Sequence, residues 1–278
     1  MRKQSPVVLS IAGSDNSGGA GIQADLKTIT ALGGYGLTAV TCVVAEVPGR
    51  VESIQALRAS VVASQIRLSF EAFPVAVVKT GMLFSSAIIR ATVDTLLLVR
   101  EGMRNPPALI VDPVMVASSG DALLEADAVA AYRKHLLPMA TLVTPNLDEL
   151  SILAGCEIRT VDAMVAAGMQ LANQYGTAFL LKGGHLKGRL ATDVLVAPGG
   201  LRADFSAPFI RGVDPHGTGC TYSSAIATVL ARGASLRDAV HEAKHYITGA
   251  IRHRYKYKHT EALNHSWMTD DHRTSTNL

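Results

Sequence analysis

Gly217 and Gly219 flank a threonine and lead into Cys220 at the head of an apolar run, within DPHGTGCTYSSAIATVL at residues 214–230. Glycines so spaced let the backbone fold back and aim successive N–H groups at one point, and a following helix adds the positive end of its dipole there. Such a loop suits an anion. If the anion is a phosphoryl group in transfer, a neighbouring side chain should take the proton of the attacking alcohol, work ordinarily given to a carboxylate. Here the neighbour is a thiol. Free thiols titrate near about 8.5 and a helix N-terminus lowers them, so Cys220 is expected to be partly thiolate at neutral pH. The four residues GTGC alone fit a closely packed helix start equally well; Asp214, His216 and Thr218 make the loop polar and favour a site.

Other segments carry chemistry at strand ends. In TPNLDEL, Asn146 and Glu149 have the spacing of a capping box, and that structural role competes with Glu149 holding a hydrated Mg²⁺ beside phosphates. Asp112 follows the apolar ALIV and is a second acidic candidate, against a simple turn-forming role. Lys182 ends AFLLK before Gly183-Gly184, where two glycines let its ammonium approach a nucleotide phosphate. No GxxxxGK[ST] occurs, which excludes a Walker-type loop. Gly19, Gly21 and Ala24 match G-x-G-x-x-G/A with Glu46 downstream, so an NAD-dependent dehydrogenase is a rival. Asp25 near that helix start, and a GTGC loop left without a role, weigh against it.

The elements that must position these residues alternate almost to the end. VVLSIA precedes a helical face of Ile22, Leu26, Ile29 and Leu32; LTAVTCVVA precedes a helix over about 57–70; VAVVKT precedes one capped by Ser85 or Ser86. ALIVDP precedes a helix near 122–137, TLVT ends at Pro145, and AFLLK, TDVLVA and LRADFSAPFI are later strands. Helices over 218–232 and 235–252 finish the pattern, the second capped by Ser235. Non-alternating runs such as LIVD and FLLK fit strands buried on both faces of a parallel sheet. The expectation is a three-layer α/β/α sandwich with ligands at the carboxyl ends of its strands. One domain over 1–252 and a basic tail over 253–278 are expected, with RHRYKYKH at 252–259 as a solvated helix end rather than an RNA-binding patch.

The bulk numbers agree. The 278 residues are 48% hydrophobic with a net charge of +3, enough for a large core and too little charge to argue for nucleic acid. Cys42, Cys156 and Cys220 form no CxxC pair, which argues against zinc and a disulfide framework and for a reducing cytoplasm. The apolar run at the start is too short for a signal peptide, and no stretch suits a membrane span.

Together IAGSDNSGGAGIQADLKT, KTGML, VDPVMVASSGD, TPNLDE, LLKGGH and HGTGCTYSSAIA, in this order, resemble the bacterial hydroxymethylpyrimidine kinase/phosphomethylpyrimidine kinases of thiamine biosynthesis, which are ribokinase-like enzymes. The resemblance spans roughly residues 7–250. It implies ATP- and Mg²⁺-dependent phosphorylation of the CH₂OH of 4-amino-5-hydroxymethyl-2-methylpyrimidine and then of its monophosphate, in a homodimer without a large β lid. Gly217, Thr218, Gly219 and Cys220 would form the anion hole, with Asp112 and Glu149 serving Mg²⁺ and Asn146, Lys182 and His216 the nucleotide. Gly13, Asp25, Val44, Glu46, Met82 and Val114 would line the pyrimidine pocket. Where that family usually reads AQNT this chain reads VAEVPGRV, so Glu46 stands at a glutamine position. Pyridoxal kinase is the alternative, because pyridoxal also presents CH₂OH on a flat six-membered ring.

Overall fold

The structure, a computed structural model, describes residues 4–115, 124, 127–184, 189–213 and 216–270. Its centre is a nine-stranded sheet of order β3-β2-β1-β4-β5-β6-β7-β8-β9. The strands are β1 (Val7–Asp15), β2 (Tyr35–Val47), β3 (Arg50–Ala56), β4 (Val75–Thr80), β5 (Ala108–Val111), β6 (Leu142–Val143), β7 (Ala178–Lys182), β8 (Leu190–Ala197) and β9 (Leu201–Pro208). From β2 through β7 every neighbouring pair is parallel; β3, β8 and β9 add antiparallel strands at the two edges.

The middle strands read as continuous apolar runs because both faces are covered. In β1 every residue except Ser14 is buried. On one face pack α2 (Ala59–Ala72), α3 (Ser86–Arg100), the short α4 (Ala128–Ala131), α5 (Leu147–Ala154) and α6 (Val161–Tyr175), around Ile11, Val78, Leu109 and Phe179. On the other face α1 (Gly21–Ala31), α7 (Thr218–Ala231) and α8 (Leu236–Arg252) close over Val8, Val77, Ile110 and Leu180. This is the expected three-layer sandwich. Ser85 and Ser235 cap α3 and α8 as their sequences predict, accepting bonds from the Ile88 and Asp238 backbone N–H groups.

Three features differ from expectation. Pro48-Gly49 closes a hairpin from β2 to β3, with Gly49 at φ +81, where a single strand is read from sequence. The helix expected near 122–137 falls partly outside the described residues; its remainder is α4, a π-turn over Tyr132–Leu136 and a 3₁₀ turn over Leu137–Met139. The segment after Arg252 is docked rather than loose: β10 (Tyr255–Lys256) pairs with β11 (Glu261–Ala262), Arg254 bonds Glu261 at 2.6 Å, and Leu263, Asn264 and His265 are buried. A final turn, α9, spans Trp267–Asp270.

Burial holds the His265 imidazole down at about 4, with Lys27 adding repulsion and the Leu263 carbonyl partly opposing. A histidine resists protonation in the fold but takes a proton near its ordinary 6.5 once unfolded, so acid favours the unfolded chain. The contribution is whole above pH 6.5 and is lost on descent towards 4, about 3 kcal/mol in all. Urea midpoints at pH 7 and pH 4.5 should differ more for the parent than for His265→Gln; equal shifts would contradict this.

Candidate active site

Six parallel strands end on one rim, where Asp15, Glu46, Asp112, Asn146 and Lys182 follow or close five of them. At the end of β1, Asp15 is buried and its carboxylate gathers the first βα turn: backbone N–H groups of Ser17, Gly19 and Ala20 donate to it at 2.7, 3.1 and 2.6 Å. His216 Nε2 lies 2.9 Å from the same carboxylate, tying the turn to the loop before α7. Burial alone would raise Asp15, but these bonds from His216, Ser17 and Ala20 hold it well below the usual carboxylate range. The amides that a dinucleotide pyrophosphate would need are therefore already spent, which removes the dehydrogenase reading of this glycine turn.

The two glycine loops interlock. Gly217 has φ +78, and a Cβ there would stand 1.8 Å from the Gly19 carbonyl oxygen. Gly217 itself precedes the first turn of α7 and offers no side chain to cap it. Gly219 leaves room below them: a Cβ there would lie 3.2 Å from Lys182 Nζ and 3.5 Å from Asp112 Oδ2.

Lys182, at the end of β7, donates to Asp112 Oδ1 at 3.0 Å, and Thr144 and Ser223 complete that carboxylate at 3.0 and 3.1 Å. Burial would raise Asp112, yet Lys182 and Lys79 hold it below its ordinary value. Glu149 is buried beside them, and with Asn146 it forms the capping box of α5, at 2.8 and 2.9 Å. Burial pushes its carboxyl up to about 7, with Asp112 adding to the rise and Lys182 opposing it. Of the two roles open to Glu149 in the sequence, the capping box is the one formed here. Asn146, Lys182, Thr218 and Gly219 edge a cleft of about 340 Å³ whose apolar end is formed by Phe209, Ile210, Ile247 and Ile251.

On the β1 side of the same loop, Cys42, Val44 and Met82 form a small buried apolar patch, with Val114 and Phe84 packed against it. Gly13 lies flat on this patch, since a Cβ there would come within 2.7 Å of Cys42 Sγ. Glu46 follows Val44 by two residues on the same face of β2, and its backbone N–H donates to Asn16 Oδ1 at 2.7 Å. Burial, and then Asp15, raise its carboxyl above the ordinary value, with His216 opposing.

Three expectations change. Asp25, expected to line the pyrimidine pocket, is fully enclosed, and Lys79 at 2.9 Å, Ser10 at 2.5 Å and Ser224 at 2.7 Å use its carboxylate. His216, expected on the nucleotide, faces Asp15 and is absent from the described lining of the cleft. Cys220 is not partly thiolate; burial pushes it up to about 12, and Lys79 and the Gly21 N–H offset this only in part while Asp25 and Asp112 add to it. Iodoacetamide at pH 7.5 should therefore label exposed Cys156 readily and Cys220 at least about tenfold more slowly, read by mass spectrometry; equal rates would refute a neutral thiol.

Asp15, Cys42 and Lys79 were missed as functional or supporting residues. A lysine inside VAVVKT was the available signal, because a charge in a strand covered on both faces must have a buried partner. Asp193 carried no comparable signal; it accepts from the Gly183 N–H at 3.1 Å and from Lys244 at 2.6 Å, and so braces the glycines that follow Lys182.

Comparison with known proteins agrees with this geometry. The phosphomethylpyrimidine kinase family profile matches residues 15–264. The hydroxymethylpyrimidine/phosphomethylpyrimidine kinase of Rhizobium meliloti is 46% identical over 246 residues, covering 88% of this chain and 90% of that protein. The thiamine biosynthesis bifunctional protein ThiED of Geobacter sulfurreducens is 45% identical over 245 residues; the match covers 88% of this chain and only about half, 49%, of that protein. The ADP complex of Bacillus subtilis pyridoxal kinase superposes with a TM-score of 0.86 at 33% identity, covering 96% of this chain and 99% of the other. Among the described residues no helix is long and apolar enough to cross a membrane. With the family profile matching residues 15–264 and a relative 46% identical over most of both chains, this chain belongs to the phosphomethylpyrimidine kinase family.

Proposed function

We propose that the protein transfers the γ-phosphoryl group of ATP to the CH₂OH of 4-amino-5-hydroxymethyl-2-methylpyrimidine and then to the resulting monophosphate. One observation carries the reading: the interlocked glycine loops present the start of α7 to Lys182 and Asp112, between a nucleotide-sized cleft and a flat apolar patch. The cleft takes ATP with its phosphates towards Lys182 and Gly219. The patch of Val44, Met82 and Val114, with Gly13 flat against it, takes the heterocycle, and Glu46 faces its exocyclic amine.

In transfer, backbone amides at 217–220 and the Lys182 ammonium stabilise charge on the moving phosphoryl oxygens. Asp112 holds Lys182 in place. A loose transition state releases the acceptor proton late, so a neutral Cys220 thiol orients the hydroxyl rather than stripping it beforehand. Cys220→Ala should then lose much of the activity and Cys220→Asp should retain some.

Asp112 and Glu149 fit a Mg²⁺ that keeps most of its waters: two buried carboxyls stand beside one lysine, and burial first, with Asp112 adding to it, raises Glu149. When bound, the ion would neutralise phosphate charge. The homodimer and the cytoplasmic setting belong to the same reading.

Glu46 is assigned a preference for ring-protonated aminopyrimidine, through a paired, charge-assisted contact that a neutral glutamine cannot make. Acceptor affinity should therefore weaken as pH rises past the ring's titration for the parent and stay flatter for Glu46→Gln; identical profiles would end the idea. Pyridoxal kinase is the second reading, favoured by the B. subtilis superposition and by Glu46. ADP release measured with a panel of heterocyclic alcohols, beside an NADH titration, decides between them. Turnover with the pyrimidine supports the first reading; turnover with pyridoxal alone, or with neither, overturns it.

A further inference from the structure

The start of α7 carries the whole phosphate loop, and its N-cap, Gly217, brings no side chain of its own to it. Tertiary contacts help to hold its direction. One of these comes from the far end of the chain: Thr221 Oγ1, the residue after Cys220, lies 3.0 Å from His265 Nε2, with both residues buried. His265 is itself fixed. The Tyr246 hydroxyl donates to its carbonyl at 2.7 Å, the Asn264 N–H donates to the Ala250 carbonyl at 3.3 Å, and the Trp267 indole N–H donates to the Tyr246 carbonyl at 3.1 Å.

Trp267 locks the arrangement by shape. Its ring lies on Gly249 of α8, where a Cβ would come within 2.2 Å of Trp267 Cε2, and it stacks on His253 at 5.7 Å with the planes 7° apart. The segment is thus seated in a notch that only glycine leaves open. Burial keeps the imidazole neutral, so Nε2 can accept a hydrogen bond from the Thr221 hydroxyl while the ring donates to the Leu263 carbonyl.

We propose that residues 263–267 are a clasp that positions the phosphate loop, and that His265 is a positioning residue for phosphoryl transfer, acting through Thr221 on the first turn of α7. The proposal rests on the reading that this turn holds a transferring phosphate. Truncating the ring releases the turn by a fraction of an ångström without touching substrate, and misalignment of that size acts on turnover more than on binding.

The test compares the parent with His265→Leu, His265→Gln, Thr221→Val and the double variant His265→Leu/Thr221→Val, each assayed for kcat and for KM of ATP. Trp267 is the only tryptophan, so its emission reports whether the clasp stays seated. With emission unchanged, His265→Leu and Thr221→Val should each lower kcat by about 10- to 30-fold with the KM of ATP within about threefold. His265→Gln, which keeps a polar group towards Thr221, should recover most of the loss. The double variant should be no worse than the worse single one. If kcat stays within twofold in both single variants while only melting temperature falls, the clasp is a brace for stability and the proposal fails. Should His265→Leu not fold, Thr221→Val, which is near-isosteric, decides alone. Turnover with any alcohol suffices for this assay, so a parent enzyme that phosphorylates pyridoxal instead of the pyrimidine overturns the acceptor assignment and leaves the clasp standing.

Discussion

Gly217→Ala should lower kcat/KM by about 100-fold or more, while Gly176→Ala, a glycine of the same backbone class, should leave it unchanged. Both residues have positive φ, +78 and +66, so each alanine pays about 1–2 kcal/mol of left-handed strain. The difference lies in what surrounds them. Nothing stands within 4 Å of a Cβ at 176, at the end of α6, whereas a Cβ at 217 falls 1.8 Å from the Gly19 oxygen and 2.7 Å from its carbon. That neighbour is backbone and cannot rotate aside, so the two loops must part by an ångström or more. A displacement of that order at a reacting centre costs roughly 100-fold. Steady-state kinetics and urea unfolding of both variants test the contrast; similar kinetic losses at the two positions would mean that the loops are not rigidly coupled.

The second large effect concerns stability. Lys79 and Asp25 form a wholly enclosed ion pair between β4 and α1, and Ser10 and Ser224 supply the remaining bonds to the carboxylate. Burial would lower Lys79, yet the carboxylates of Asp25 first, and then Asp112, hold it well above its ordinary value. Lys79→Met leaves a carboxylate in the core with no cation, a change that costs about 3–5 kcal/mol. Adding Asp25→Asn removes the stranded charge while keeping an acceptor for the two serines, and should restore at least half of the loss. Urea unfolding midpoints at constant m-value measure both. A loss below about 1 kcal/mol in Lys79→Met would show that water or a rearranged partner reaches the pair.

Much of this was legible in the residues. Apolar runs without alternation specified buried parallel strands, and serines at 85 and 235 marked helix starts, because local chemistry decides both. The glycine loop, Lys182 and Asp112 could be read as one site because strand ends in such a sheet share a rim. What could not be read was the state of each group. Whether Cys220 is a thiolate depends on enclosure and on carboxylates at positions 25 and 112, far away in sequence. Asp25 and His216 misled for a related reason: their types suit a ligand, and only the fold reveals that protein groups already engage them. The edge hairpin from β2 to β3 was hidden by a turn of only Pro48 and Gly49, inside what reads as a departure from a familiar motif.

The partners of Asp25 come from three widely separated parts of the chain, residues 10, 79 and 224. During synthesis the first two emerge early, and the carboxylate–ammonium pair can form long before Ser224 exists. Until α7 arrives, that pair faces solvent and the phosphate loop is missing altogether. Covering the charge and building the second glycine loop are therefore one event, so a nascent chain gains a sealed core and the loop proposed to hold phosphates in the same late step.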